Sequence, residues 1–305
     1  MRLADNLNAS APKRRIMPSG ASCNRCPVRI ARGSAGFPTA FDQLSHPPDE
    51  LWVIGSTPSA DLPLVGIVGA RAASGHGCAQ ARDWADELGR QGVGIVSGGA
   101  FGIDAAAHEG ALRAGTPTYA VLGCGVDVVY PDRHVDLFAR ISLSGGLLSE
   151  YAPGMPPRPG QFPARNRLIA ALAQAVVVIE AADRSGALIT ARLARELGRQ
   201  VLAVPGSPGT DRIIAKGQAQ AVSSARDVLT ALAGQAVCAS MAEPSTGPLA
   251  SVLQSLRTAA ADPAELGRRM GIELPAALAL LAEAELEGWV VRGDGNKYEV
   301  VIRGC

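Results

Sequence analysis

The stretch at residues 92–111, GVGIVSGGAFGIDAAAHEGA, constrains the chain most. A short apolar run over 93–96 enters a turn of Ser97, Gly98 and Gly99, and an alanine-rich helix is expected over 103–112, stopped at Gly115. Strand, glycine turn and helix in immediate succession leave backbone N–H groups and the positive end of a helix dipole facing whatever lies above the turn. Glycine lets that backbone come close to a ligand, and a phosphate is the natural one. A tight βα turn with no ligand is the alternative.

The pattern recurs. Apolar runs at 51–54, 65–68, 119–122, 147–149, 175–179 and 201–204 alternate with helical stretches near 78–91, 135–141, 162–174, 188–197, 212–216 and 225–233, and a short apolar piece stands at 221–222. Nearly continuous apolar strands separated by helices imply an α/β fold. Its core is an extended Rossmann-like, mostly parallel sheet covered by helices on both faces. Ala and Gly are abundant and aromatics make up only 4% of the 305 residues, which suits helices packed closely on a sheet. A net charge of +1 gives no bulk attraction for nucleic acid, so any such site must be local. Arg71 follows the strand at 65–68, at the sheet edge where open α/β folds bind ligands.

The two ends read differently. Residues 1–36 lack a period and are expected to be a flexible tail, with a basic cluster at Lys13, Arg14 and Arg15. Cys23 and Cys26 form a CxxC, but a structural zinc takes four ligands and no second pair follows, so no metal or other cofactor is expected. Six cysteines in a chain of this length do not make a disulfide framework. No apolar run is long enough to span a membrane and no secretory signal is visible, which points to the cytoplasm. Residues 37–233 form the expected main domain, 234–248 a linker, and 249–305 a small module of three helices and a hairpin, the winged-helix order. Its third helix, ALALLAEAELEG, carries glutamates and no basic residue, which favours a protein-contact or packing role over duplex binding.

The ordered series SGGAFGIDAAAH, LGCGVDVVYP, LLSEYAPG, FPARNRLIAAL, VVVIEAADRSGALITARLA and VLAVPG resembles the DprA (Smf) family of bacterial DNA-processing proteins, over residues 37–222. The resemblance implies a non-enzymatic, dimeric protein that binds single-stranded DNA. It also implies loading of RecA recombinase onto single strands during natural transformation, displacing or bypassing single-strand-binding protein. It carries DNA contacts onto Arg71, onto Ser97, Gly98, Gly99 and Ala100, and onto Phe162, Arg165, Asn166 and Arg167. Phe101 departs from the family, many of whose members have Arg there. Thr210-Asp211 replaces an Asn-containing turn before Lys216, itself an expected DNA contact, so Arg158 or Arg212 is expected to supply compensating phosphate contacts.

A basic groove beside an aromatic platform is what single strands require. Each residue also has a structural alternative: Arg167 as an arginine paired with Glu150 or Glu180, Phe162 as a core side chain, Asn166 as a loop cap. The rival activity is that of nucleoside-monophosphate phosphoribohydrolases of the same superfamily. They need a PGGxGTxxE motif, and here the comparable turn has no glycine pair and is followed by Thr190 and Ala191 in place of an acidic residue. A dinucleotide-dependent oxidoreductase fits less well, since GIVGARAASGHG lacks the G-x-G-x-x-G spacing.

Overall fold

A computed structural model describes residues 26–240, 247–286, 289–293 and 297–300, the side chains of 235–240 excepted. The chain divides into two compact units, Met1–Leu232 and Ala233–Cys305.

The first unit runs β1 (Val28–Ala31), β2 (Glu50–Gly55), β3 (Leu64–Val68), α1 (Gly75–Arg90), β4 (Gly94–Ser97), α2 (Ile103–Ala114), β5 (Thr118–Val121), α3 (Val135–Ser144), β6 (Gly146–Ser149) and α4 (Gln161–Leu172). It continues with β7 (Ala175–Val178), α5 (Gly186–Glu196), β8 (Gln200–Ala203), α6 (Pro208–Ala215), β9 (Gln220–Ala221) and α7 (Ala225–Ser240). The nine strands form one sheet in the order β1-β2-β6-β5-β4-β3-β7-β8-β9. Pairs from β6 to β9 are parallel; β2 pairs antiparallel with β6 and with β1. The mostly parallel Rossmann-like sheet read from the sequence is therefore present, with an antiparallel margin.

Period-two alternation divides each central strand between two cores. In β3, Leu64 and Val68 join a cluster with α4 and α5, while Val65 and Ile67 join Trp84, Leu88, Ile103 and Ala107 of α1 and α2 on the opposite face. Val65, Ile67 and Ile95 are wholly buried, each worth about 1.5–3 kcal/mol in apolar transfer. Serines start two of the helices: Ser74 Oγ accepts from Gly77 N–H at 3.0 Å and Ser185 Oγ from Ala187 N–H at 3.2 Å.

Two expectations need correction. The tail expected over 1–36 is not a tail from Val28 onward: β1 pairs with β2, Val28 opposite Val53. Only Ile30 of its four residues is partly buried, so this edge strand carries no alternating apolar signal. Residues 1–25, with the basic cluster and Cys23, lie outside the described residues, and Cys26 is exposed. The linker expected over 234–248 is helical as far as Ser240, the end of α7. Ahead of β2, a short 3₁₀ helix, Thr39–Gln43, buries Phe41.

The second unit contains α8 (Pro248–Thr258), α9 (Pro263–Met270), α10 (Leu274–Leu286) and a hairpin of β10 (Val290–Arg292) and β11 (Tyr298–Val300). Asp262 caps α9, its carboxylate accepting from Glu265 N–H at 2.8 Å, with Pro263 at the first helical position. Val252, Leu253, Leu256, Leu266, Leu281 and Trp289 form its core.

Candidate nucleic-acid interface

Strands β4, β5 and β6 follow one another to one side of β3, and β7, β8 and β9 to the other. The sheet therefore reverses direction of growth between β3 and β7, and ligands of open α/β folds bind above such a point at the carboxyl ends of the strands. A cleft of about 580 Å³ lies there. Its walls come from Gly69 and Arg71 after β3, Ala100 and Asp104 around the start of α2, Tyr130, the first turns of α4, and Ser185, Gly186, Ala187 and Thr190 at the start of α5.

The floor is ionic and closed. Arg165 is only 4% exposed. Its Nη1 donates to the Gly98 carbonyl at 2.8 Å and to the Val121 carbonyl, and its Nε donates to Asn166 Oδ1 at 3.2 Å. Burial pulls its pKa down to about 10, with the neighbouring Asp104 carboxylate opposing the shift, so it stays charged at neutral pH. Asp104 is buried too, which raises its pKa, while Arg165 and two backbone donors pull the other way. Those donors belong to the glycine turn: Gly98 N–H reaches Asp104 Oδ2 at 3.1 Å and Ala100 N–H at 3.4 Å. A Cβ on Gly98 would stand 2.6 Å from Arg165 Nη2 and 2.7 Å from Asp104 Oδ2, so only glycine admits both groups.

This alters the reading of the turn. Ser97, Gly98 and Gly99 are buried, and Ser97 Oγ donates to the Ile67 carbonyl at 2.6 Å. The amides of Gly98 and Ala100, expected to face a phosphate, meet a carboxylate from the first turn of the helix that follows them. Of the four turn residues, Ala100 alone lines the cleft. Arg165, expected as a phosphate contact, spends its guanidinium on backbone carbonyls.

The rim is open and aromatic. Arg71 is exposed, and its guanidinium carbon lies 5.5 Å from the centroid of the Phe162 ring. Phe162 is half-buried and packs against Tyr130 at 5.3 Å, the planes inclined by 40°. Phe162 is thus a cleft wall with one side supported, not a core residue. Arg158 is exposed beside Pro159, which lines the cleft.

Of the remaining site residues, Asn166 lines the cleft and Arg167 and Lys216 do not. Asn166 is buried and donates from Nδ2 to the Gly186 carbonyl at 3.3 Å, tying α4 to the start of α5. Arg167 pairs with Glu150, Nη2 to Oε2 at 2.5 Å, and does not line the cleft: of its two structural alternatives, the Glu150 pair is the one formed. Lys216 is exposed at the end of α6 and is absent from the cleft walls. Sequence reasoning missed Asp104 and Tyr130. Asp104 had a signal, an acidic residue in the first turn of α2 after a glycine pair; Tyr130 had none, because its partner Phe162 is distant in the chain.

Among the described residues, no group of three or more His, Cys, Asp or Glu is placed to hold a metal, and no helix is long and apolar enough to cross a membrane.

Comparison with known proteins adds an independent line. The family model described as DNA recombination-mediator protein A matches residues 29–233. Protein Smf of Synechocystis is 44% identical over 176 residues, covering 56% of this chain and 44% of that protein. The chain spans about half the length of the first curated relatives it matches. The crystal structure of DNA processing protein A from Streptococcus pneumoniae superposes with a TM-score of 0.64 at 39% identity, covering 67% of this chain and 74% of that one. DNA processing protein A from Helicobacter pylori, described for its single-stranded DNA binding mode, superposes with a TM-score of 0.63 at 33% identity, covering 69% and 97%.

Proposed function

The chain belongs to the DNA recombination-mediator protein A family, and from that premise we propose that its switch-point cleft binds single-stranded DNA. The observation that carries the reading is the exposed Arg71 stacked on the half-buried Phe162 at the mouth of the cleft. A cation for phosphate and a supported aromatic face for an unpaired base are thereby held together. Arg158 is a second rim cation. Duplex DNA, whose bases are not free to stack, binds more weakly. In the second unit the exposed Glu283 and Glu285 on α10 repel a phosphate backbone, so this unit adds little to DNA affinity. The bound strand then serves as the substrate on which RecA recombinase is loaded by a homodimer of this chain, in competition with single-strand-binding protein, during natural transformation.

Base release from nucleoside monophosphates has no support in the cleft. The residue after the β7 turn that faces it is Thr190, and Glu180 is occupied elsewhere, its Oε2 accepting from Ser74 N–H at 3.1 Å and Ser74 Oγ at 2.7 Å.

The test is fluorescence anisotropy with single- and double-stranded oligonucleotides over a salt series. Tighter binding of single strands, with affinity falling as salt rises, is expected; equal affinity for both forms, or none for either, overturns the reading. Light scattering and RecA filament assembly on strands coated with single-strand-binding protein test the rest. A strict monomer with no effect on assembly removes the loading role.

A further inference from the structure

Resting on that reading, we propose that Phe101 is a second base-stacking residue of the interface, presenting an uncharged aromatic face for another nucleobase of the bound strand. Phe101 is 41% exposed, although a Phe of this domain has ample core to enter. It directly follows Ala100, which lines the cleft. Its backbone is fixed: Gly102, at φ +76°, lies so close to the exit of β3 that a Cβ would stand 2.3 Å from the Ala70 carbonyl oxygen. Ile103 N–H then donates to that same carbonyl at 3.3 Å.

The ring is held as well. It meets His134 edge-to-face, centroids 4.8 Å apart and planes at 75°. His134 in turn donates from Nδ1 to the Gly99 carbonyl at 3.0 Å and packs on the buried Phe138 at 5.8 Å. The five-residue segment that ends in His134 begins with Tyr130, the ring that supports Phe162. One short segment therefore backs two rings, Phe162 at one end and Phe101 at the other. An exposed ring already held in place loses little freedom when a base stacks on it. Stacking on a π-face accepts any base and releases no counterion, so its contribution is independent of salt.

The test uses the full chain with two labelled ligands of equal length, an oligothymidylate and a strand without bases. Phe101→Ala is expected to weaken oligothymidylate binding about fivefold or more with the salt slope unchanged, and to leave the base-less strand unaffected. Phe101→Arg should steepen the slope by about 0.7. Phe101→Trp should keep wild-type affinity, and its added emission should be quenched by oligothymidylate. Unchanged oligothymidylate affinity in Phe101→Ala, an equal loss on the base-less strand, or an unquenched Trp overturns the inference. If Phe162→Ala weakens binding and Phe101→Ala does not, this inference falls alone. If the unaltered chain binds no single strand, the inference and the reading beneath it fall together. Should Phe101→Ala melt early, the quenching of Phe101→Trp decides.

Discussion

Arg165 and Arg71 line the same cleft, yet they live in different physical settings. Arg165 is buried, tied to two strand-end carbonyls and balanced by Asp104. Arg71 is in water, leaning on an aromatic ring. A buried charge pair is costly to break, because the remaining partner is left uncompensated in a low dielectric. An exposed guanidinium has little effect on the fold and is free to meet a ligand. On the proposed reading, the floor of the cleft therefore governs stability and the rim governs binding.

Removing the floor arginine is the most severe way to test that division. Arg165→Met strands Asp104 and the Gly98 and Val121 carbonyls, and should cost about 3–5 kcal/mol in urea unfolding. If Arg165→Met stays as stable as wild type while losing single-strand affinity, the division between floor and rim collapses.

The next effect comes from acid. His108 lies on the buried face of α2 with Nδ1 2.8 Å from Thr118 Oγ1, and burial drives its pKa from 6.5 down to about 3. The unfolded chain thus binds a proton that the folded chain refuses. Stability should be lost as pH falls from about 6.5 toward 3, by about 1.4 kcal/mol per unit across that window. Asp104 works in the opposite sense: its raised carboxyl pKa makes the folded chain the better proton acceptor above 3.8, so its contribution favours the fold on the acid side. Melts of wild type and His108→Gln between pH 7 and 4 separate the two, and the variant should show the flatter profile.

The rim should respond in binding. Phe162→Ala should cost about 1–3 kcal/mol of single-strand affinity without changing the salt slope. Arg71→Ala should lower the slope by about 0.7 and leave unfolding within about 0.5 kcal/mol of wild type. A change of slope in Phe162→Ala would show that its ring matters only by holding Arg71. The smallest effect is expected at Lys216, exposed but away from the cleft: Lys216→Ala should leave affinity and slope unchanged, and a drop in slope would extend the interface past α6.

The order of strands and helices was legible because every central strand is an unbroken apolar run bounded by glycine or a polar turn. The edge strand β1 was not, since exposed Val28, Arg29 and Ala31 carry no burial pattern. The glycine turn was legible as an anion site, but its occupant was not. A carboxylate six residues beyond Gly98 satisfies the same donors that a phosphate would, and only the geometry of α2 brings it there. FPARNR marked a helix start as a candidate contact region without saying which of its side chains faces the cleft. That depends on the rotation of α4 against the sheet, a tertiary fact.

That rotation has a consequence of its own. Residues 162 to 167 distribute their tasks around one helix: Phe162 faces the cleft, Arg165 grips the ends of β4 and β5, Asn166 reaches α5, and Arg167 reaches Glu150. Inserting or deleting one residue in the first turn of α4 would swing each of these side chains by about 100° at once. A point substitution disturbs one of these contacts, whereas a change of length disturbs all four. Its spacing should therefore be locked, and with Arg165 kept a lineage could retune the cleft's rim chemistry far more readily than its geometry.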